Sequence, residues 1–220
     1  MALSDFTVSQ PRPLPVFILA DTSGSMSVDG KIQSLVIALN DMLVSLQSER
    51  FRSIDLQLAL ITFGQSVTVN QPVSVSKISS PFQLEAAGPT PMGEDFSMLL
   101  SMLEDHEVVS SRAYRPFIML VSDGVPTDEW EEALQKFKQS ARASKATRLA
   151  MAIGGDADKE MLRLFPNHLE APLFEAHNAK DIARFFRFVT LSIQATGRSI
   201  TPNAPTLAQL PSVDDLDELF

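Results

Sequence analysis

The run LPVFILA at residues 14–20, with DTSGS directly after it at residues 21–25, restricts the possible folds more than any other stretch of the chain. It carries no polar side chain, so a strand made from it has no face to offer water and must be covered on both sides. Strands of that kind belong to the interior of parallel sheets with helices packed above and below. Where the run stops, Asp21, Ser23 and Ser25 place one carboxylate and two hydroxyls on alternate positions of a loop in which Gly24 removes a crowding side chain. Ligand sites of open α/β sheets lie beyond the carboxyl ends of central strands, which is where this loop falls. Hard oxygen donors with no imidazole or thiol nearby suit Mg2+.

The remaining pattern extends the same architecture. Ile32, Leu35, Val36, Leu39, Leu43 and Leu46 recur at helical spacing and predict an amphipathic helix after the first loop. IDLQLALITF (residues 54–63) reads as a second strand, and Gly64-Gln65 as a turn into a short antiparallel strand over residues 66–70. An irregular connection with a bridge near residues 73–75 leads to Thr90. Pro91 then starts a helix carrying Met92, Phe96, Leu99, Leu100 and Leu103, so Thr90 stands at a helix N-terminus. RPFIMLVS (residues 115–122) is a third long strand, ending in Asp123-Gly124. Thr127 is expected to cap a helix running to about residue 143. Strands at residues 147–153 and 171–176, a short helix at 159–165 and a last helix at 180–196 complete an alternation of strands and helices. It predicts an α/β, doubly wound, mostly parallel sheet with one antiparallel edge strand.

This divides the chain into an arm (residues 1–13), one domain (14–197) and a tail (198–220). In the tail, Pro202, Pro205 and Pro211 are expected to hold the chain off the last helix. They lead to Val213, Leu216, Leu219 and Phe220, an apolar stripe flanked by Asp214, Asp215, Asp217 and Glu218. Such a stripe is expected to dock on a partner, on its own domain or on a neighbouring chain.

Composition excludes several classes of function. A net charge of -9 repels phosphate backbones and anionic lipid, so neither nucleic acid nor a membrane surface is expected as partner. Cysteine is absent, which removes disulfides, thiolate metal sites and thiol nucleophiles. No apolar run approaches the ~18 residues of a membrane span, and residues 1–13 lack a secretion signal's pattern, so a cytoplasmic location is expected.

Three loops therefore converge at one sheet edge: DTSGS, GPTPMGE around Thr90, and SDG ending in Gly124. Singly, each reads as a helix cap or a turn. Together and in this order they resemble the metal-ion-dependent adhesion site (MIDAS) of von Willebrand factor type A (VWA) domains, over roughly residues 14–196. The resemblance implies that Ser23, Ser25 and Thr90 ligate Mg2+ or Mn2+, with Asp21 and Asp123 acting directly or through water. It also implies a protein partner whose Asp or Glu carboxylate completes the coordination, and no enzymatic activity. The TPMGE turn is most similar to the bacterial TerY group of tellurite-resistance and stress-response proteins, which implies a complex containing a protein kinase and a PP2C-type phosphatase.

A competing enzyme reading takes ADTSGSM as the nucleophile loop of a haloacid-dehalogenase-type phosphatase, with Asp21 as nucleophile and GGDADKE (residues 154–160) as the distal acidic motif. Ser23 stands where that chemistry needs a general acid.

Overall fold

The computed structural model describes residues 10–51, 53–69, 72–168, 171–204 and 207–212. The first strand, β1 (Arg12–Asp21), pairs in parallel with β2 (Ile54–Phe63) on one edge and β5 (Phe117–Ser122) on the other. The sheet continues through β6 (Thr147–Ile153) to β7 (Leu173–Ala176), both parallel. The outer edge of β2 is antiparallel and comes in two short pieces, β3 (Thr68–Val69) and β4 (Val73–Ser74). The order is β3-β2-β1-β5-β6-β7, with β4 also on β2. The sheet is doubly wound and mostly parallel, as the continuous apolar runs predict.

Consecutive residues of β1 enter opposite cores, which is why the run can contain no polar residue. Leu14, Val16, Ile18 and Ala20 join the core shared with α1 (Lys31–Ser48) and α5 (Ala179–Arg198). Phe17 and Leu19 join the core under α2 (Met92–Glu104), α3 (Trp130–Gln139) and α4 (Lys159–Arg163). On that second side Phe96, Phe137 and Phe165 stack at centroid distances of 5.7 to 6.2 Å, tying α2 to α3 and to the turn after α4. No helix among the described residues is long and apolar enough to cross a membrane.

Two local expectations are corrected. Thr127 does not cap its own helix: α3 begins only at Trp130, no side chain caps it, and it ends at Gln139 rather than near residue 143. Thr127 and the adjacent Asp128 are engaged elsewhere, as described below. The prolines after α5 also do not hold the chain away from it. Leu207 and Ala208 pack on the α1/α5 core, Ala208 N donates to Ser192 Oγ at 2.9 Å, and Arg184 Nε donates to Pro211 O. The hydroxyl of the buried Ser192 supplies a backbone partner that an apolar helix face would lack. The stripe from Val213 to Phe220 lies outside the described residues.

Because Phe137 is fully buried in the aromatic stack, Phe137→Ala should cost about 3–5 kcal/mol in chemical denaturation, a cavity-forming loss.

Candidate metal centre

Backbone bonds fasten the loop after β1 before any site chemistry enters. Thr22 N donates to Phe63 O at 2.7 Å, Ala87 N to Thr22 O at 2.8 Å, and Gly24 N to Gly88 O at 2.9 Å. The end of β2 approaches so closely that a Cβ on Gly64 would lie 2.6 Å from Thr22 O. A second set of bonds joins the loop after β5 to the start of α2. Thr90 N donates to Thr127 Oγ1 at 3.1 Å while Thr127 N donates to Thr90 O at 3.0 Å. Asp128 accepts from Gly93 N and Glu94 N, both at 2.9 Å, and so caps α2 from across the loop, where the helix dipole favours its charge. Gly93 is required there: a Cβ would meet Glu129 O at 2.6 Å.

These fastenings bring all five expected residues together. Asp21 Oδ1 accepts from Ser23 N at 2.8 Å, and Oδ2 accepts from Ser122 Oγ, which itself receives Gly124 N at 3.2 Å. Ser23 Oγ and Ser25 Oγ are 3.0 Å apart, and Ser25 Oγ donates to Asp123 Oδ1 at 2.7 Å. A Cβ built on Gly124 would sit 3.0 Å from Thr90 Oγ1, 3.5 Å from Asp21 Oδ2 and 3.6 Å from Ser25 Oγ. Oxygens from three loops thus face one point that only a glycine leaves open. Asp21 and Asp123 are fully buried, Ser23 and Thr90 nearly so, and Ser25 is exposed, so the cluster opens to solvent on the Ser25 side.

The donor set fits a small hard cation. Among the described residues no group of three or more His, Cys, Asp or Glu converges as a metal site, so any ion here depends on hydroxyls beside two carboxylates.

Three participants escaped the sequence reading. Lys31 Nζ lies 2.6 Å from Asp123 Oδ2 with 14% of its side chain exposed. Its signal was its isolation, as the one cation between Arg12 and Arg50. Ser122, the residue before Asp123, holds Asp21. Asp95 lies on the apolar face of α2 beside Met92, Phe96 and Leu99, where an acid is out of pattern. It is fully buried, and neither carboxyl oxygen has a hydrogen-bond partner.

Burial pushes the Asp95 carboxyl well above the usual carboxylate range, and the negative neighbours Asp21, Asp128 and Glu94 push it further. Asp21 is also raised, by burial first, with Asp123 adding to the effect and hydrogen bonds from Ser122 and Ser23 opposing it. A folded pKa above the unfolded value means the native state binds more protons, so stability is full below the unfolded pKa of ~3.9 and is lost as pH rises through the folded one. With metal chelated, wild-type stability relative to Asp95→Asn should therefore fall as pH rises above about 4, read by urea denaturation across a pH series.

The chain matches the family model described as von Willebrand factor type A domain over residues 16–187. No curated protein matches it. Among solved structures it is similar to the pilus adhesin SpaC of Lactobacillus rhamnosus GG, with a TM-score of 0.68 at 15% identity, covering 85% of this chain and 31% of that one. It is also similar to the mussel byssus protein PTMP1 with a zinc-occupied MIDAS motif, with a TM-score of 0.64 at 14% identity, covering 83% and 48%. A third is the manganese-loaded TRAP protein of Plasmodium vivax, with a TM-score of 0.55 at 20% identity, covering 80% and 71%. The chain thus spans about a third of the adhesin and half of the byssus protein, and these likenesses establish the fold. With the family model covering most of its length, the chain belongs to the von Willebrand factor type A domain family.

Proposed function

We propose that the chain is a metal-dependent protein-binding module. The observation that carries this reading is the convergence of Thr90, Asp21 and Ser25 oxygens on the space above Gly124. Ser23, Ser25 and Thr90 would hold Mg2+ or Mn2+, with Asp21 and Asp123 acting directly or through water. The ion supplies a Lewis-acidic position for an Asp or Glu carboxylate from a protein partner. The chain's own contribution is preorganisation: Ser23 N and Ser122 orient Asp21, and Thr127 fixes the backbone of Thr90, while Lys31 occupies Asp123 as a competitor of the ion. The metal-occupied byssus and TRAP structures support the reading, since both share this fold.

The finer reading places the module in the cytoplasm, as a TerY-like subunit of a bacterial tellurite-resistance or stress-response complex with a protein kinase and a PP2C-type phosphatase. Its support is the TPMGE turn and the resemblance it carries. A phosphatase acting through Asp21 has less support, because both Asp21 oxygens already accept hydrogen bonds and Ser23 cannot serve as the general acid.

By calorimetry, Asp21→Ala should weaken Mg2+ or Mn2+ binding at least ~100-fold, since even supporting groups around a metal contribute 10–100-fold. Unchanged affinity with an intact fold would remove the site. Lys31→Met should instead tighten metal binding about tenfold, the size of one unit charge lost from a partly exposed site. A weaker affinity in that variant would mean that Lys31 supports the loaded state rather than competing with it.

A further inference from the structure

The end of the sheet away from the metal centre carries charge of the opposite sign to the molecule. Where β5 and β6 begin, about 25 Å along the strands from Asp123, lies a cleft of about 290 Å3. Arg115, Arg142 and Lys145 line it, and among the described residues no Asp or Glu does. Tyr114, also in the lining, carries Arg12 over its ring at 4.0 Å, which brings a fourth cation to the region. In a chain of net charge -9 acids are in excess, yet among the described residues none pairs with Arg115, Arg142 or Lys145. The two acids that follow Leu103 are engaged elsewhere: Glu104 accepts from Ser140 Oγ, and Asp105 accepts from Glu107 N at 2.8 Å.

The cations are held in place by the fold. Arg142 Nη1 donates to Leu103 O and, at 2.8 Å, to Val109 O, which fixes the guanidinium plane. Its Nε and Nη2 have no acceptor among the described residues. Arg115 N donates to Asn203 Oδ1 at 3.0 Å, anchoring the backbone while the residue stays exposed, and Lys145 is exposed at the end of the turn Ala143–Lys145. Like charges gathered in this way repel one another, and an anion between them removes that repulsion.

We propose that this cleft binds a small phosphate monoester, its dianion between Arg115, Arg142 and Lys145 and its carbon body against Leu103 and Val109. The inference is independent of the metal-site reading. A monoester carries a charge near -2 at neutral pH and three acceptor oxygens, which guanidinium groups meet in a planar fork. The hydroxyls of Ser110 and Ser111, on the same wall, are further donors. Buried Leu103 and Val109 give the cleft an apolar side that inorganic phosphate leaves uncovered. A volume near the lower bound of small-molecule sites suits such a ligand better than a segment of another protein.

The test titrates the full chain, labelled with nitrogen-15, with phenyl phosphate, inorganic phosphate and phenol at physiological ionic strength. Phenyl phosphate should shift the amide signals of residues 110–115 and 143–145 saturably and leave those of residues 21–25 and 123–125 in place. It should bind roughly three- to tenfold more tightly than inorganic phosphate, with no effect of phenol. Arg115→Gln and Lys145→Gln should each weaken it about tenfold with unchanged urea midpoints; Arg142 is kept, since it holds the end of α2. Shifts that do not saturate, or that survive in both variants, would overturn the proposal. Equal affinity for phenyl phosphate, inorganic phosphate and sulfate would reduce the cleft to an unselective cationic patch and overturn it too. Tighter binding of a serine-phosphorylated peptide than of phenyl phosphate would assign the cleft to a protein segment instead of a small ligand.

Discussion

β1 is enclosed on all four sides: its two faces enter separate cores and its two edges pair in parallel with β2 and β5. A strand so confined cannot slip, because a one-residue shift would exchange the residues of both cores at once. The position of Asp21 is therefore set by packing along the whole strand rather than by its own loop. Ser122, at the end of the neighbouring strand, meets the Asp21 carboxylate because both strand ends are held in fixed relation by the same sheet. The remaining oxygens are positioned relative to this pair: Ser25 through Asp123, and Thr90 through the loop after β5.

What could be read directly from sequence was whatever depends on local pattern. The apolar runs of β1, β2 and β5 and the helical spacing of Ile32, Leu35 and Leu39 declare their elements because burial demands them. Asp21, Ser23, Ser25, Thr90 and Asp123 were accessible for a related reason, as each sits where such an element starts or stops. What stayed hidden was the address of polar side chains. Thr127 and Asp128 have the chemistry of helix caps, but neither caps α3 beside them: Asp128 caps α2 across the loop, and Thr127 holds the backbone of Thr90. Lys31 reads as an ordinary first-turn residue until the fold sets Asp123 before it. The path of residues 207–212 is held by the buried Ser192 hydroxyl, by Leu207 and Ala208 packing and by Arg184, partners on other elements that the local sequence does not announce.

Asp95 shows the cost of the arrangement most clearly. An apolar side chain there would satisfy the α2 core, and a buried, unpaired carboxyl opposes folding. Its negative neighbours make the interior beneath the loops poor in positive charge, so the region is stable as a neutral acid or in the field of a cation. Natural domains tolerate such groups where they serve a site and rely on packing elsewhere, as in the Phe96, Phe137 and Phe165 stack.

The contact between Lys31 and Asp123 gives the centre a cation of its own that is covalently attached. A free sodium or potassium ion at the same carboxylate could be diluted away; the ammonium cannot, and its local concentration is the same in every solvent. Under the proposed metal binding, a dication would displace this ammonium from Asp123 but not from the molecule, so the net charge would rise by the full two units. On a surface already negative overall, salt would screen that change within about 10 Å, so discrimination between the two forms would fall to molecules that touch the opening itself.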